Sequence, residues 1–349
     1  MNIKENYYED VQFLKSWTAR AWFVVLIVFL VLFPIFSSNY YIYVANYIAI
    51  NILVVLGLNI LMGSTGLASL GHSGFYAVGA YTTVVLMTRA HLPFLLALLL
   101  AGLLTALFGF LIGFPALRLS GPYLAIATFA FGVGMTIIIG RIEFLGGRQG
   151  LHAPELIIGS WHLDTDKDFY IFLIPLMVFM ALMARNILKT RTGRALNAIR
   201  DSDIAAETMG VNLVLYKTLA FAISAFYAGV AGGLYAFVLR FIEPEIFSMY
   251  LSIMFVVMIV VGGLGTIIGS ISGAILISLL DLQLRNILSV PYLGEWLKSL
   301  SMSYFSVTGV SNIQFIIYGT ILLLIMMFEP LGIYGFWLRI KKYWNTWPF

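Results

Sequence analysis

From Ala21 to Thr88 the chain carries no Asp, Glu, Lys or Arg, an unbroken run of 68 residues. A water-exposed fold does not sustain such a run, because soluble domains draw about a quarter of their residues from the charged types. Here the whole chain of 349 residues holds only 10%. Further charge-free runs cover Ala90–Leu117, Leu119–Gly140, Phe169–Ala184, Thr218–Leu239, Ile246–Leu280 and Ser299–Phe328. A helical bilayer crossing takes roughly 20 apolar residues, so the sequence describes a polytopic membrane protein. Soluble enzymes, nucleic-acid binders and secreted disulfide scaffolds are excluded by the same distribution of charge.

Cutting these runs at Gly, Pro and Asn clusters gives about ten spans: Ala21–Phe36, Tyr40–Met62, Gly66–Thr88, Leu92–Phe114, Tyr123–Gly140, Tyr170–Ala184, Thr218–Leu239, Tyr250–Val261, Thr266–Leu284 and Ile313–Phe328. The expected fold class is all-α, since lipid satisfies no backbone polar group and the alternation of a barrel strand is missing. The organisation expected is an N-terminal segment 1–20, a transmembrane domain 21–328 and a C-terminal tail 329–349. The first apolar run lacks a small-residue cleavage site before a polar mature chain, so it reads as a retained span. Lys and Arg set orientation. Thirteen fall on one side (Lys4, Lys15, Arg20, Arg118, Arg185, Lys189, Arg191, Arg194, Arg200, Lys217, Arg339, Lys341 and Lys342) and seven on the other (Arg89, Arg141, Arg148, Lys167, Arg240, Arg285 and Lys298). The asymmetry predicts both termini in the cytoplasm, and it accounts for the net charge of +4 without a nucleic-acid partner.

Catalytic constellations are sparse. Cysteine is absent, which removes thiol catalysis and Cys-ligated metal. There is no G-x-x-x-x-G-K-[ST] loop and no H-E-x-x-H, so ATP phosphates and zinc have no recognisable cradle. Of the four histidines, His91, His152 and His162 fall in outer loops and His72 alone in a predicted span. Gly71-His72-Ser73-Gly74 has the G-x-S-G form of intramembrane rhomboid proteases. With no second histidine at depth, the reading expects no Ser–His dyad. Asp281, near the outer end of the ninth span, is the one buried-carboxylate candidate, and an interfacial position explains it equally well. Small residues four apart (Gly109 and Gly113; Ala225, Gly229 and Gly233; Gly265, Gly269 and Gly273) fit close helix packing.

Two places look like interrupted helices: Met62–Gly74, with Gly66, Ser69, Gly71, His72 and Ser73, and Val261–Thr266, with Gly262, Gly263 and Gly265. Uncharged irregular backbone at depth is tolerated where it is buried in protein or lines a cavity, and paired breaks point to a transport pathway. A tight turn between two spans is the other reading. Asn46, Asn51 and Asn59 are polar groups of the second span, suited to bonding neighbouring helices or to lining a pore. The loop Arg185–Lys217 holds six of the thirteen basic residues. Its Asp201-Ser202-Asp203 triplet predicts a helix capped by Asp203, and Gly210 fits the left-handed position after that helix ends. The loop therefore reads as two short helices forming a docking element, or as a basic surface lying on anionic lipid.

At these residues the chain resembles a known family. Thr192-Gly193-Arg194-Ala195-Leu196, Ala205-Ala206-Glu207-Thr208-Met209-Gly210-Val211, Tyr216-Lys217 and Ala220-Phe221 resemble the coupling loop of branched-chain amino acid ABC permeases. Gly57-Leu58-Asn59-Ile60-Leu61-Met62-Gly63, Gly66, Ser69-Leu70-Gly71-His72 and Gly79-Ala80-Tyr81 are similar to its early signature. Val261-Gly262-Gly263-Leu264-Gly265-Thr266 and Gly269 are similar to its late one. The chain looks most like the longer of two paired permease subunits. Phe144-Leu145 and Gln149 depart in part from the family's glycine-rich outer motif, and related permeases carry urea or short amides.

The resemblance implies a non-enzymatic permease subunit with an ABC importer fold in the inner membrane. It implies a second permease subunit, two cytoplasmic subunits that bind ATP and Mg, and an extracytoplasmic substrate-binding protein, with no cofactor held by this chain. It assigns ATPase coupling to Gly193, Arg194, Arg200, Ala205, Ala206, Glu207 and Gly210. The breaks, with Asn59, are expected to lie beside the translocation path. A facilitative channel would need no docking loop, and an intramembrane enzyme would need a titratable pair at depth.

Overall fold

A computed structural model describes residues 17–116, 119, 121–159, 161–289, 310–329 and 331–346. Most of the N-terminal segment, with Lys4 and Lys15, and the loop cations Arg118 and Lys298 lie outside them. Thirteen helices are described: α1 Trp17–Phe36, α2 Asn39–Leu58, α3 His72–Thr88, α4 Phe94–Ala116, α5 Pro122–Arg141, α6 Asp166–Lys189, α7 Arg191–Asp201, α8 Asp203–Thr208, α9 Leu213–Leu239, α10 Met249–Gly262, α11 Ile267–Ser289, α12 Val310–Phe328 and α13 Gly332–Thr346. The all-α expectation holds. Among the described residues seven helices are long and apolar enough to cross a bilayer, while Ala21–Phe36 and Met249–Gly262 are shorter apolar helices. The chain is a multi-pass membrane protein.

Helix α9 organises the bundle by packing along α4 and α3 and against α2. Its small residues permit this approach. A Cβ at Gly79 of α3 would stand 2.1 Å from the Gly229 carbonyl oxygen, and one at Gly232 would stand 2.0 Å from that of Tyr76. Gly109 of α4 sits against Ala225, where an added Cβ would lie 2.4 Å from the alanine methyl. Backbones that touch gain dispersion contact where no hydrophobic drive separates protein from lipid tails, so these glycine sets serve packing. Gly265 is the exception, for it lies in a turn with φ of +80°. Helices α1, α4 and α12 instead turn Leu, Val, Phe and Met side chains outward, as lipid-facing surfaces do.

Several boundaries differ from the sequence reading. The third span starts at His72, because Gly66–Gly71 is non-helical, with Gly66 at φ +73°. Helix α9 starts at Leu213 and takes in Lys217, so the free loop is shorter than Arg185–Lys217. The residues read as a C-terminal tail form the helix α13. Its Gly332, at φ +63°, packs on the Val261 carbonyl and the Gly263 amide.

Helices α7 and α8 mark one end of the bundle. The opposite end carries two short antiparallel strand pairings, Leu151–His152 with Phe241–Ile242 and Ile157–Ile158 with Trp161–His162. The 24 residues of α6 separate the two ends by about 36 Å at 1.5 Å per residue. Gly146, Gly147 and Gly150, all at positive φ, fold the glycine-rich motif against the Ile242 carbonyl there.

Candidate functional site

The element between α6 and α9 is built from its caps. Gly193 lets α7 turn sharply off α6, since a Cβ there would lie 2.1 Å from the Leu188 carbonyl oxygen. The amphipathic α7 buries Leu196 and Ile199 and leaves Arg194 and Arg200 on its exposed side. Its Arg194 Nη1 donates to the Lys189 carbonyl at 3.3 Å.

The N-cap of α8 is Ser202, whose Oγ accepts the Ala205 amide at 3.2 Å; the expected cap, Asp203, is not it. Asp203 instead pairs with Lys217 Nζ at 2.6 Å, which draws it toward α9. Gly210 has φ of +85° and its amide bonds the Glu207 carbonyl at 2.9 Å, as the sequence predicts for the residue ending this helix. Helix α8 buries Ala206 and presents Ala205 and Glu207 outward. It also exposes Ile204 (78%), with Met209 (85%) just past its end. Sequence reasoning missed these two apolar side chains, although a large aliphatic residue on each flank of Ala-Ala-Glu was the available signal.

Both glycine breaks lie at this same end, as connections between successive spans. Helix α2 runs on into a turn of π-helix over Asn59–Gly63. Asn59 Oδ1 accepts the Gly265 amide at 2.9 Å, so the two breaks touch. Arg200 Nη1 donates to the Gly63 carbonyl at 2.7 Å. A Cβ added at Gly265 would stand 2.6 Å from the same Nη1. Asn59, Gly63, Gly265 and Arg200 thus form one junction, with Gly66 beside Arg200. Gly262 and Gly263 face elsewhere, toward Gly269 and Leu331 respectively.

The remaining break residues form a separate buried node where α3 begins. His72, 1% exposed, is hydrogen-bonded through Nδ1 to Ser69 Oγ at 3.2 Å and through Nε2 to Ser224 Oγ at 2.7 Å. The Ser73 amide donates to Ser252 Oγ at 2.9 Å, and the Ser252 hydroxyl donates to Ser73 Oγ at 2.8 Å. A side chain at Gly71 would strike the Thr128 carbonyl at 2.3 Å. The expectation that no Ser–His pair assembles at depth is therefore corrected: a single histidine sits between two serines, because Ser69 precedes it by less than one helical turn. The node joins α3 to α5, α9 and α10.

The asparagines bond neighbouring elements: Asn46 Nδ2 donates to the Asp166 carbonyl at 3.0 Å and Asn51 Nδ2 to Ser278 Oγ at 2.9 Å. Asp281 is 0% exposed. It accepts hydroxyls from Tyr250 at 2.5 Å, Tyr318 at 2.9 Å and Tyr47 at 3.5 Å. Among the described residues no three His, Asp or Glu side chains are grouped to hold a metal ion. A cavity of about 240 Å³ opens at the opposite end, lined in part by Pro154, Glu155, Asp164, Asp166 and Arg240, away from both breaks.

The family profile described as "Branched-chain amino acid transport system / permease component" matches residues 40–328. The chain is 35% identical over 283 residues to the high-affinity branched-chain amino acid transport system permease protein LivM of Escherichia coli (strain K12), covering 74% of this chain and 67% of that one. The LivM protein of Salmonella typhimurium (strain LT2) is 34% identical over the same shares. The LivH permease protein of Escherichia coli (strain K12) is 23% identical over 300 residues, or 81% of this chain and 90% of that one. No solved structure matches.

Proposed function

The chain belongs to the branched-chain amino acid transport permease family and is LivM-like, and from that membership we propose that it is a membrane subunit of an ATP-driven importer for aliphatic amino acids. A second, LivH-like permease subunit would complete the translocation path, with two cytoplasmic ATP-binding subunits below it. A substrate-binding protein would load it from the other side. ATP and Mg would be held by those partners, so this chain would perform no chemistry itself.

The observation that carries the reading is α8. Two large apolar side chains stand exposed, Ile204 on a capped helix of six residues and Met209 just past its end, flanking the carboxylate of Glu207. Exposed apolar side chains clustered on an ordered element mark a protein contact. The thirteen-to-seven distribution of Lys and Arg supports a cytoplasmic position for this element and for both termini.

Transport would proceed by alternating access, with ATP and the loaded binding protein favouring different arrangements of the two permease subunits. The path would run beside Asn59, Gly66, Ser69, Gly71, His72, Ser73, Gly262, Gly263 and Gly265. Of these Gly66 is exposed, Gly265 is half-buried and the rest are buried in the single chain, so the buried node would need to open against the partner permease.

Uptake into proteoliposomes holding the chain with its co-purified partners tests the reading. ATP-dependent accumulation of leucine, isoleucine or valine is expected. Accumulation of urea or acetamide in their place would assign the related amide-carrying class. Uptake independent of ATP would assign a facilitative channel.

A further inference from the structure

Arg200 of the docking element lies 137 residues from Gly63 and 65 from Gly265, yet its one side chain reaches both glycine breaks. Arg200 is the penultimate residue of α7. Its Nη1 donates to the Gly63 carbonyl at 2.7 Å, and its Cγ is the nearest atom to a Cβ built at Gly66, at 3.7 Å. A Cβ built at Gly265 would lie 2.6 Å from the guanidinium. We infer that Arg200 is the positioning residue through which displacement of α7 and α8 reaches the spans on either side of both breaks.

The physical case rests on the Gly63 carbonyl. The π-turn Asn59–Gly63 continues α2, and the last carbonyls of a helix have no partner within it. They also carry the negative end of the helix dipole, where a cation is favourable. A guanidinium meets both demands with a charge-assisted hydrogen bond. The contact is therefore a directional tie between α7 and the end of α2, and it is stronger than packing alone. On its other side, Gly265 leaves the space the guanidinium fills, and the Gly265 amide is held by Asn59 Oδ1 at 2.9 Å. A pull on Arg200 acts on the α2–α3 connection directly and on the α10–α11 connection through Asn59.

A single π-turn within an α-helix costs hydrogen-bond geometry and recurs at functional sites, and Asn59 Nδ2 is buried with no hydrogen-bond partner among the described residues.

The inference rests on the importer reading above, and the test separates the two. The chain has no cysteine, so a pair introduced at Asn197 of α7 and Ile268 of α11 accepts spin labels at those sites alone on this subunit. In the assembled transporter the label separation should stay constant between nucleotide-free and ATP-trapped states, because Arg200 moves both as one body. A change of about 5 Å, one helical turn, would overturn the inference.

Two variants extend the test. Arg200→Met removes the donors but keeps the stem, and Gly265→Ala crowds the guanidinium from the other side. Each should lower uptake per ATP hydrolysed by about tenfold while the ATPase subunits still co-purify, and Arg200→Lys should recover part of the loss. Unchanged uptake per ATP in Arg200→Met would also overturn the inference. If Arg200→Met fails to assemble, the label separation in the otherwise native protein decides alone. A native transporter that accumulates no aliphatic amino acid with ATP would refute the importer reading, and the label separation would still report whether the tie holds.

Discussion

At the scale of single residues, the caps of α8 carry testable weight. Ser202→Ala removes the acceptor of the Ala205 amide and should cost α8 about 1 kcal/mol, seen as faster amide exchange at Ala205 and Ala206. Unchanged exchange would show that Ser202 does not hold this end. A Cβ at Gly210 meets no neighbouring atom within 4 Å, so the penalty of Gly210→Val begins with φ, on the order of 1 kcal/mol or more. It should reduce uptake while leaving membrane insertion intact. Gly210 was legible in the sequence because a glycine after an Ala-rich turn has few other roles. The cap was legible only as a triplet, since Asp201, Ser202 and Asp203 are all good N-caps. The choice fell to Ser202 once Lys217, fifteen residues further on, drew Asp203 into an ion pair. His72 shows the same limit: its partner Ser69 was in view, whereas Ser224 is 152 residues away.

At the scale of elements, the glycine contacts separate packing from chance. Gly79→Ala would drive a methyl into backbone, 2.1 Å from the Gly229 carbonyl oxygen, where no rotamer change gives relief. Overpacking of this kind costs about 1–3 kcal/mol, so thermal unfolding of the detergent-solubilised protein should come several degrees earlier. Gly134→Ala, with nothing within 4 Å, should leave it unmoved. Equal effects of the two would refute the packing role. Long apolar helices were legible because lipid imposes charge-free runs, and seven of the described helices are long enough to cross a bilayer; both interruptions were legible from their Gly and Ser content. The π-turn Asn59–Gly63 was not, since nothing local distinguishes it from the α-helix that precedes it. Helix α13 was missed for another reason. Arg339, Lys341 and Lys342 crowd its last turns, so the segment reads as a charged tail, while Phe336, Trp337 and Tyr343 between them supply the apolar side.

At the scale of the whole molecule, the account depends on which end of the bundle meets the cytoplasm and on what binds there. Reporter fusions after residue 160 and after residue 205 should map outside and inside respectively, and the reverse at either site would overturn the orientation. Fold class and family were legible from charge segregation and from motifs scattered between Asn51 and Leu280, because those motifs sit where helices break or dock. The junction of Arg200 with Gly63 and Gly265 was not, because it is made by three segments far apart in the chain. On the proposed reading, α8 delivers the work of ATP hydrolysis to this permease. The most direct measurement is ATP hydrolysis and leucine uptake in the same proteoliposomes, with native chain and with the Ile204→Asp, Met209→Asp double variant. Placing two charges in a desolvated contact should lower both substrate-stimulated hydrolysis and uptake at least about tenfold, with the variant still inserted and paired with its partner permease. Uptake and stimulated hydrolysis equal to those of the native chain would contradict the account.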